Sequence, residues 1–457
     1  MYRTNTSLSH QQNRIADYRK TYDSYSVFNL LTSDSLLDKV EELLPKHRER
    51  LYPPTETLSM FLSQAMSSDR SCQNCVKKLV TQKVCGGLSI CSTKTGGYCR
   101  ARQRLPESMV SELSCFLGKM IVQQTASSWR WNNRRVRIVD GTTVTMPDTP
   151  RNQALYPQQN RQREGLGFPI CRVVGITCLS SGALLNAAVG PFKGKGGDEQ
   201  TLVRSIQDTL KAGDILIGDA YYASYFFIAS MQAKGVDILM EQYGARRRSI
   251  DFRSGQKLGS KDHVIKLDKP HKRPQWMSIE DYEQAPGSVF IREFKAWGKI
   301  MVTTIACPKY APKVELKRLY KSRWHVDLDI RHIKDTMGMG VLSCKTPEMV
   351  VKEMWVYFLV YNLIRFLMLK SALLADISPR TISFKHCMQL WLSWCQQAAM
   401  PDREQNEILF ILIAQQTVGK RPGRTEPRAL KRRAKPYPLL KQHRHLARAE
   451  VLNNGHP

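Results

Sequence analysis

The stretch from Tyr320 to Lys334 contains ionisable side chains whose spacing could support chemistry. We treat it as one α-helix with about 100° per residue and measure angles from Tyr320. Arg323, Asp327 and Lys334 then lie at roughly −60°, −20° and −40°. Asp329 lies near 180° and points away. An acid flanked by two cations and a phenol could bring a metal ion and phosphate groups together. The same stripe also suits a solvated salt-bridge face, and the stripe alone favours neither interpretation.

Two further acids, Asp140 and Asp219, each follow a short apolar run that is typical of a buried β-strand. Each run is expected to end at its aspartate, where a carboxylate can project from the edge of a sheet. Phosphodiester transfer by two hard cations needs carboxylate oxygens from separate elements, because Mg²⁺ prefers oxygen ligands and keeps several waters. Either aspartate alone is more often an ordinary strand-ending residue. Together with Asp327 they form a candidate three-carboxylate site.

The elements that must position these acids predict a mixed α/β fold. Ile170 to Cys178 is an apolar strand, and a helix from about Asp198 to Leu210 precedes the strand that leads to Asp219. Long helices are predicted from roughly Lys313 to Met337 and from Pro347 to Leu374. The predicted segments are a helical N-terminal domain (1–128), the first part of the core (129–235), a β-rich insertion (236–307), the second part of the core with further helices (308–415) and a basic tail (416–457).

The charge of the chain indicates a polyanionic partner. Lys and Arg total 69 against 40 for Asp and Glu, a formal charge of +29, and nucleic acid is the commonest large polyanion. A ribosome-like structural binder or a protein bound to an anionic membrane surface could have the same charge, but neither needs acids at strand ends. The apolar segment Met354 to Leu369 contains Asn362 and Arg365, so we expect a buried core helix rather than a membrane span. Met1 to Lys20 is polar, and we expect no targeting peptide and a cytoplasmic, nucleoid-associated protein.

Three basic segments have two interpretations each. The helical N-terminal domain could recognise DNA or could pack on the core. The loop Gly190 to Gly197 lacks the pattern of an ATP-binding loop and could hold a DNA phosphate or simply connect a strand to a helix. Between Lys420 and Arg448 there are eleven Lys or Arg and one acid, Glu426. We expect this flexible tail to lie along phosphate backbones, the alternative being a solvated tail.

The residues above resemble the DDE insertion-sequence transposases that carry a Tyr-Arg-Glu-Lys signature, spaced Y-x2-R-x3-E-x6-K. Tyr320, Arg323 and Lys334 match that spacing, and the contexts of Asp140 and Asp219 are similar to those of the family's first two acids. The likeness extends over nearly the whole chain. Where the family has Glu, this chain has Asp327. Its carboxylate is withdrawn by roughly 1.5 Å, enough to reduce the rate about 10²-fold.

The resemblance implies a ribonuclease H-like core that a β-rich insertion interrupts before the third acid. It implies two Mg²⁺ ions, or Mn²⁺ in their place, held by Asp140, Asp219 and Asp327. It also implies cleavage at terminal inverted repeats, strand transfer into target DNA, and a homodimer on paired ends. Tyr320, Arg323 and Lys334 would then bind phosphates near the end of the element.

Trp297, late in the predicted insertion, is our candidate platform for stacking a flipped base, which related enzymes place on tryptophan. A tryptophan buried in a β-domain is the alternative. Two other functions compete with an active transposase. One is a transposase-derived DNA-binding protein in which Asp327 has impaired catalysis, and the other is a structure-selective nuclease on a related core.

Overall fold

The computed structural model describes residues 34–47, 51–67, 69–85, 87, 89–160, 163–194, 196–244, 246, 250–394, 403–419 and 442–454. In this part of the chain the α-helices are α1 (Asp34–Glu42), α2 (Pro54–Met66), α3 (Cys72–Cys85), α4 (Gly96–Arg104), α5 (Glu107–Gln124), α6 (Pro150–Leu155), α7 (Glu199–Ser205), α8 (Tyr225–Ala233), α9 (Ile279–Gln284), α10 (Lys313–Lys321), α11 (Trp324–Arg331), α12 (Pro347–Leu374), α13 (Phe384–Trp394), α14 (Arg403–Gln415) and α15 (Arg444–Asn454). The strands are β1 (Val136–Thr145), β2 (Ile170–Cys178), β3 (Leu184–Pro191), β4 (Ile215–Ile217), β5 (Asp237–Glu241), β6 (Gln256–Gly259), β7 (Asp262–Asp268), β8 (Ser288–Ala296) and β9 (Lys299–Thr303).

The strands form one mixed sheet in the order β3-β2-β1-β4-β5-β9-β8-β7-β6. The central strands β1, β4 and β5 are parallel, and β2 and β3 are added antiparallel to β1. The mixed α/β fold is therefore confirmed. The segment predicted as a β-rich insertion begins with β5, which pairs parallel to β4. Its other strands continue the same sheet, because β9 pairs antiparallel with β5.

The first strand runs further than the sequence indicated. We expected it to end at Asp140, but β1 continues to Thr145. Four of the five residues from Gly141 to Thr145 are Gly or Thr, yet each of the five pairs with a residue of β2. The register places Asp140 opposite Gly175. Parallel pairing with β4 stops earlier, at Ile138. Asp140 therefore lies beyond the parallel part of the sheet, although its strand goes on.

The predicted helix from Lys313 to Met337 is interrupted. It divides into α10 and α11, and a π-helical turn follows from His332 to Thr336. The Ser322 hydroxyl donates a hydrogen bond to the Leu319 carbonyl at the break, an alternative to helical bonding that serine often offers. The wheel with 100° per residue was therefore wrong in detail, because the helix restarts near Arg323 and is wider near Lys334.

Helix α12 is the centre of the largest hydrophobic core. The predicted bounds, Pro347 to Leu374, are confirmed. By length and composition this helix could cross a membrane, but 89% of its most apolar stretch is buried inside the protein. The N-terminal helices α2 and α5 bury residues such as Leu58 and Leu117 in the same core. The N-terminal segment therefore packs on the core, and DNA recognition by it stays a prediction.

The segment predicted as a flexible tail contains a helix, α15, next to residues 420–441, which lie outside the described part of the chain. Arg444 at its start pairs with Asp148 at 2.7 Å between Nε and Oδ2. Arg444 also donates a hydrogen bond to the Gly167 carbonyl at 2.9 Å. This end of the tail thus folds against the segment between β1 and β2, because Arg444 contacts an acid and backbone carbonyls there.

A buried ion cluster fixes α11 to the core. The Asp329 carboxylate is fully buried and pairs with Arg365 of α12 at 2.5 Å and with Arg380 at 2.6 Å. Burial acts to raise the pKa of Asp329, but the two guanidinium groups overcome this effect and hold that pKa below its usual range. The prediction that Asp329 points away from the chemistry is consistent with this position. Its role is to hold α11 in one orientation on the core.

Replacing Asp329 by Asn should lower the free energy of unfolding by about 3 kcal/mol, because two buried cations lose their counter-charge. Chemical denaturation followed by circular dichroism measures this loss. The stabilisation depends on the ionised carboxylate, so the difference from wild type should shrink below about pH 4 as Asp329 is protonated. Asp327→Asn is the matched control on the same helix, where a part-exposed carboxylate should contribute less than about 1 kcal/mol. Equal losses in both variants would contradict this account.

Candidate active site

Asp140 and Asp219 lie at the same level of the sheet. The register pairs Ile138 of β1 with Ile217 of β4, and each aspartate follows its paired residue by two positions. Neighbouring strands are about 4.8 Å apart, so these side chains leave adjacent strands at one edge. Each is held by the backbone beside it. Oδ1 of Asp140 accepts a hydrogen bond from the Gly141 amide at 2.8 Å. Oδ1 of Asp219 accepts a hydrogen bond from the Tyr221 amide at 2.8 Å.

Arg323 joins the sheet to the helix that carries the third acid. Its Nη1 lies 3.1 Å from Oδ2 of Asp140, and its Nη2 lies 3.8 Å from Oδ2 of Asp327. The Asp140 side chain is 17% exposed and that of Asp327 is 41% exposed, so the pair opens toward solvent on the Asp327 side. The guanidinium thus stands between two carboxylates where a cation is needed.

The three candidate acids act on one another through their charges. Burial raises the pKa of Asp140 to about 6. The hydrogen bond from Gly141 and the charge of Arg323 oppose this rise, whereas the carboxylates of Asp327 and Asp219 add to it. Burial therefore disfavours the ionised form of Asp140 more than Gly141 and Arg323 stabilise it, and an additional cation would stabilise that form.

The other residues of the predicted signature contact this region despite the interrupted helix. Lys334 Nζ donates to Oγ1 of Thr142 at 3.1 Å and to the carbonyl of Thr143 at 2.8 Å, on the continuation of β1 beyond Asp140. Burial lowers the pKa of Lys334. Tyr320 is half-buried, and burial raises its pKa to about 12, so its hydroxyl stays protonated. All three signature side chains thus lie near the candidate acids.

Trp297 is not buried. It is 58% exposed and forms, with Gly298, the two-residue turn between β8 and β9. Both residues have positive φ, 47° for Trp297 and 77° for Gly298, which is typical of a type I′ hairpin turn. A tryptophan rarely adopts this backbone conformation, so its presence at an exposed turn suggests a function outside the core.

The donor set fits hard divalent cations in kind, since carboxylate oxygens are the ligands that Mg²⁺ prefers. The raised pKa of Asp140 indicates the same need for positive charge. Among the described residues, however, no three His, Cys, Asp or Glu side chains lie close enough to hold an ion as they stand. Arg323 holds Asp140 and Asp327 on either side of itself. An ion shared by Asp140 and Asp327 would therefore take the place that Arg323 occupies between them.

The family described as Transposase DDE domain matches residues 131–363, just over half of the chain, and this span includes Asp140, Asp219 and Asp327. The chain belongs to this transposase family. It is 29% identical to the transposase InsG for insertion sequence element IS4 from Escherichia coli (strain K12), over 74% of this chain and 77% of that protein. Among solved structures it is similar to a piggyBac transposase from a synaptic complex with hairpin DNA. That similarity has a TM-score of 0.43 and 10% identity, and it covers 90% of this chain and 88% of the other.

The spacing of residues in the sequence does not indicate two further residues of this candidate site. Glu199 and Tyr222 lie beside the candidate acids, and the Tyr222 hydroxyl donates to Glu199 Oε2 at 3.0 Å. Glu199 follows the helix-capping residue Asp198, so in the sequence it has the appearance of an ordinary acid in a first helical turn. Tyr222 has the appearance of an ordinary core aromatic. Only the folded sheet brings them to Asp140, and no local spacing could have indicated it.

Asp140→Asn should stabilise the metal-free transposase above about pH 6. The pKa of Asp140 is higher in the folded state, so that state binds more protons between about pH 4 and pH 6. The free energy of unfolding therefore falls as pH rises through this window, by about 3 kcal/mol in total. The variant avoids this loss, and its advantage should vanish near pH 4. Chemical denaturation in a chelating buffer at several pH values measures the difference.

Added Mg²⁺ should then stabilise the wild type and not the Asp140→Asn variant, since a ligand stabilises the state that binds it. Asp268→Asn is the control, because that side chain is 81% exposed and distant in sequence from the site. If Asp140→Asn had the same stability as the wild type at every pH and Mg²⁺ concentration, the proposed electrostatic role of Asp140 would be contradicted.

Proposed function

We propose that this transposase binds the ends of an insertion sequence and catalyses metal-dependent DNA cleavage and strand transfer. The observation that carries the proposal is the position of Asp140 and Asp219 at one level of the sheet, with Arg323 connecting Asp140 to Asp327. Membership of the transposase family is consistent with this chemistry. The sheet order around β1 is consistent with the ribonuclease H-like core that we infer.

Asp140, Asp219 and Asp327 would hold two Mg²⁺ ions, or Mn²⁺ in their place. Bound divalent cations activate the attacking water or 3′-hydroxyl and stabilise the leaving oxygen. The chain's own contribution is to hold two carboxylates on rigid adjacent strands and the third on a helix that Asp329 fixes to the core. Arg323 would release Asp140 and Asp327 when metal and DNA bind, because its guanidinium suits a phosphate equally well.

The signature side chains would bind DNA phosphates near the end of the element. Arg323 can present two parallel N–H donors to phosphate oxygens, and Lys334 supplies a point charge. Tyr320, with its hydroxyl protonated, can donate a hydrogen bond to the same backbone. Lys334 Nζ donates to Oγ1 of Thr142 and to the carbonyl of Thr143, and these contacts hold its ammonium group over β1.

Trp297 would stack on a base displaced from the duplex. Its support is an indole that is 58% exposed on a two-residue turn, where packing gives no reason for a tryptophan. Base-on-aromatic stacking contributes about 1–3 kcal/mol and does not depend on the base. Terminal inverted repeats and target DNA would be the partners, in a homodimer acting on the cytoplasmic nucleoid. The net charge of +29 supports DNA of either kind.

Purified protein should nick a duplex that carries the element's own end when Mg²⁺ is present. Asp140→Asn should reduce nicking by at least about 10³-fold and leave end binding intact, since it removes a metal ligand and no phosphate contact. Denaturing gels of end-labelled DNA measure nicking, and mobility shifts at fixed salt measure binding. Asp268→Asn, far from the acids, is the control for both assays.

Substitution of the third acid distinguishes the remaining interpretations. Asp327→Glu restores the methylene that the family carries, and a gain from no nicking to end-specific nicking would show that Asp327 had impaired the enzyme. Cleavage of branched DNA regardless of end sequence would indicate a structure-selective nuclease instead. Tight end binding with no nicking in either the wild type or Asp327→Glu would contradict the proposed catalysis.

A further inference from the structure

Glu199 lies directly against the backbone that carries the first candidate acid. It is the first residue of α7, and its carboxylate packs on Gly141, the neighbour of Asp140. A Cβ atom at position 141 would come within 2.5 Å of the Glu199 Cδ atom. Gly141 lies within a strand and has no positive φ, so its backbone conformation does not require a glycine. The missing side chain leaves the space that the Glu199 carboxylate occupies.

The same carboxylate contacts the turn that follows the second acid. The Tyr222 side chain is fully buried, and its hydroxyl donates to Glu199 Oε2 at 3.0 Å. Burial raises the pKa of Tyr222 well above its usual range, and the charges of Glu199, Asp140 and Asp219 add to this effect. The hydroxyl therefore stays protonated and remains a donor. It lies within electrostatic reach of both strand-end acids.

Residue 200 connects the same two elements. Gln200 Nε2 donates to the Tyr221 carbonyl, and Gln200 Oε1 accepts from the Ser224 hydroxyl at 3.1 Å. The Tyr221 amide donates to Asp219 at 2.8 Å, so the peptide groups of this residue are bound on both sides. The first two residues of α7 thus hold the turn from Asp219 to Ser224 by three side-chain contacts. Glu199 also contacts β1, at Gly141.

We propose that Glu199 is a positioning residue for the catalytic carboxylates, which sets the separation of Asp140 and Asp219 through its contacts with Gly141 and Tyr222. The inference rests on the proposed function, because it concerns the same metal-binding acids. Ligands must be held to within about 0.5 Å for catalysis, and groups that orient them commonly contribute 10–100-fold to metal affinity or activity. Glu199 is suited to this role because its carboxylate contacts Gly141 next to Asp140 and Tyr222 in the turn that follows Asp219.

The test compares Tyr222→Phe, Glu199→Ala and Glu199→Gln in the full-length protein. Two quantities are measured for each variant, the MgCl₂ concentration for half-maximal end nicking and the rise in melting temperature on adding MgCl₂. Tyr222→Phe and Glu199→Ala should each raise the half-saturating concentration about 10-fold and weaken the thermal shift, with end binding unchanged. Glu199→Gln should retain more of the wild-type Mg²⁺ response than Glu199→Ala, because its amide oxygen still accepts from Tyr222 although its charge toward Arg172 is lost.

A second set of variants tests the contact between Glu199 and Gly141 of β1. Gly141→Ala should reduce nicking and the thermal shift in the wild-type background, because its Cβ displaces the Glu199 carboxylate. It should cause no further loss in the Glu199→Ala background, where that carboxylate is absent. Gly287→Ala is the control, since a Cβ there meets nothing within 4 Å. This pair decides the question even if Tyr222→Phe fails to fold.

Additive losses for Gly141→Ala and Glu199→Ala would overturn the inference, as would wild-type Mg²⁺ dependence in both Tyr222→Phe and Glu199→Ala. A lower melting temperature with unchanged Mg²⁺ response would show a purely structural role and would also overturn it. A wild type that is stabilised by MgCl₂ but never nicks would refute the proposed function, and the thermal shifts would still decide the role of Glu199. A wild type with neither response would refute both.

Discussion

The site depends on negative charge that the fold concentrates and does not fully neutralise. Asp140 is largely buried near two other carboxylates. Burial destabilises its ionised form and raises its pKa to about 6. Arg323 supplies a cation between Asp140 and Asp327. An arginine in that place can serve as a temporary counter-ion, which yields to metal and then binds phosphate. The burial of the Asp140 carboxylate beside two further acids is therefore the physical reason to expect divalent ions in this transposase.

Two rigid constraints make this concentration of charge possible. The parallel pairing of β1 with β4 brings Asp140 and Asp219 to one level, and it does so through buried residues that tolerate little change. The cluster of Asp329, Arg365 and Arg380 fixes α11, so that Asp327 cannot rotate away from the sheet. Removing one partner of a buried ion cluster is costly because it leaves an unpaired charge behind. The orientation of Asp327, the third candidate acid, thus depends on residues that lie outside the candidate site.

The sequence predicted the parts of the fold that local patterns determine. The apolar strand at Ile170 to Cys178 and the helix from Pro347 to Leu374 have the predicted bounds, and the transposase family was identified from the spacing of a few polar residues. The break near Ser322 was missed, since it depends on a side-chain hydrogen bond rather than on periodicity. The extension of β1 past Asp140 was missed because the partner strand β2 determines it. Glu199 was missed for the same reason, as only tertiary packing brings it to Gly141.

The central claim is that Asp140, Asp219 and Asp327 bind shared divalent ions. Crystals grown with MnCl₂, with diffraction measured at the manganese absorption edge, test it most directly. We expect an anomalous peak between Asp140 and Asp219 within ligand distance of both carboxylates, about 2.0–2.3 Å, with Arg323 displaced from Asp140. The absence of such a peak at a Mn²⁺ concentration that supports nicking, or manganese bound only elsewhere, would contradict the account.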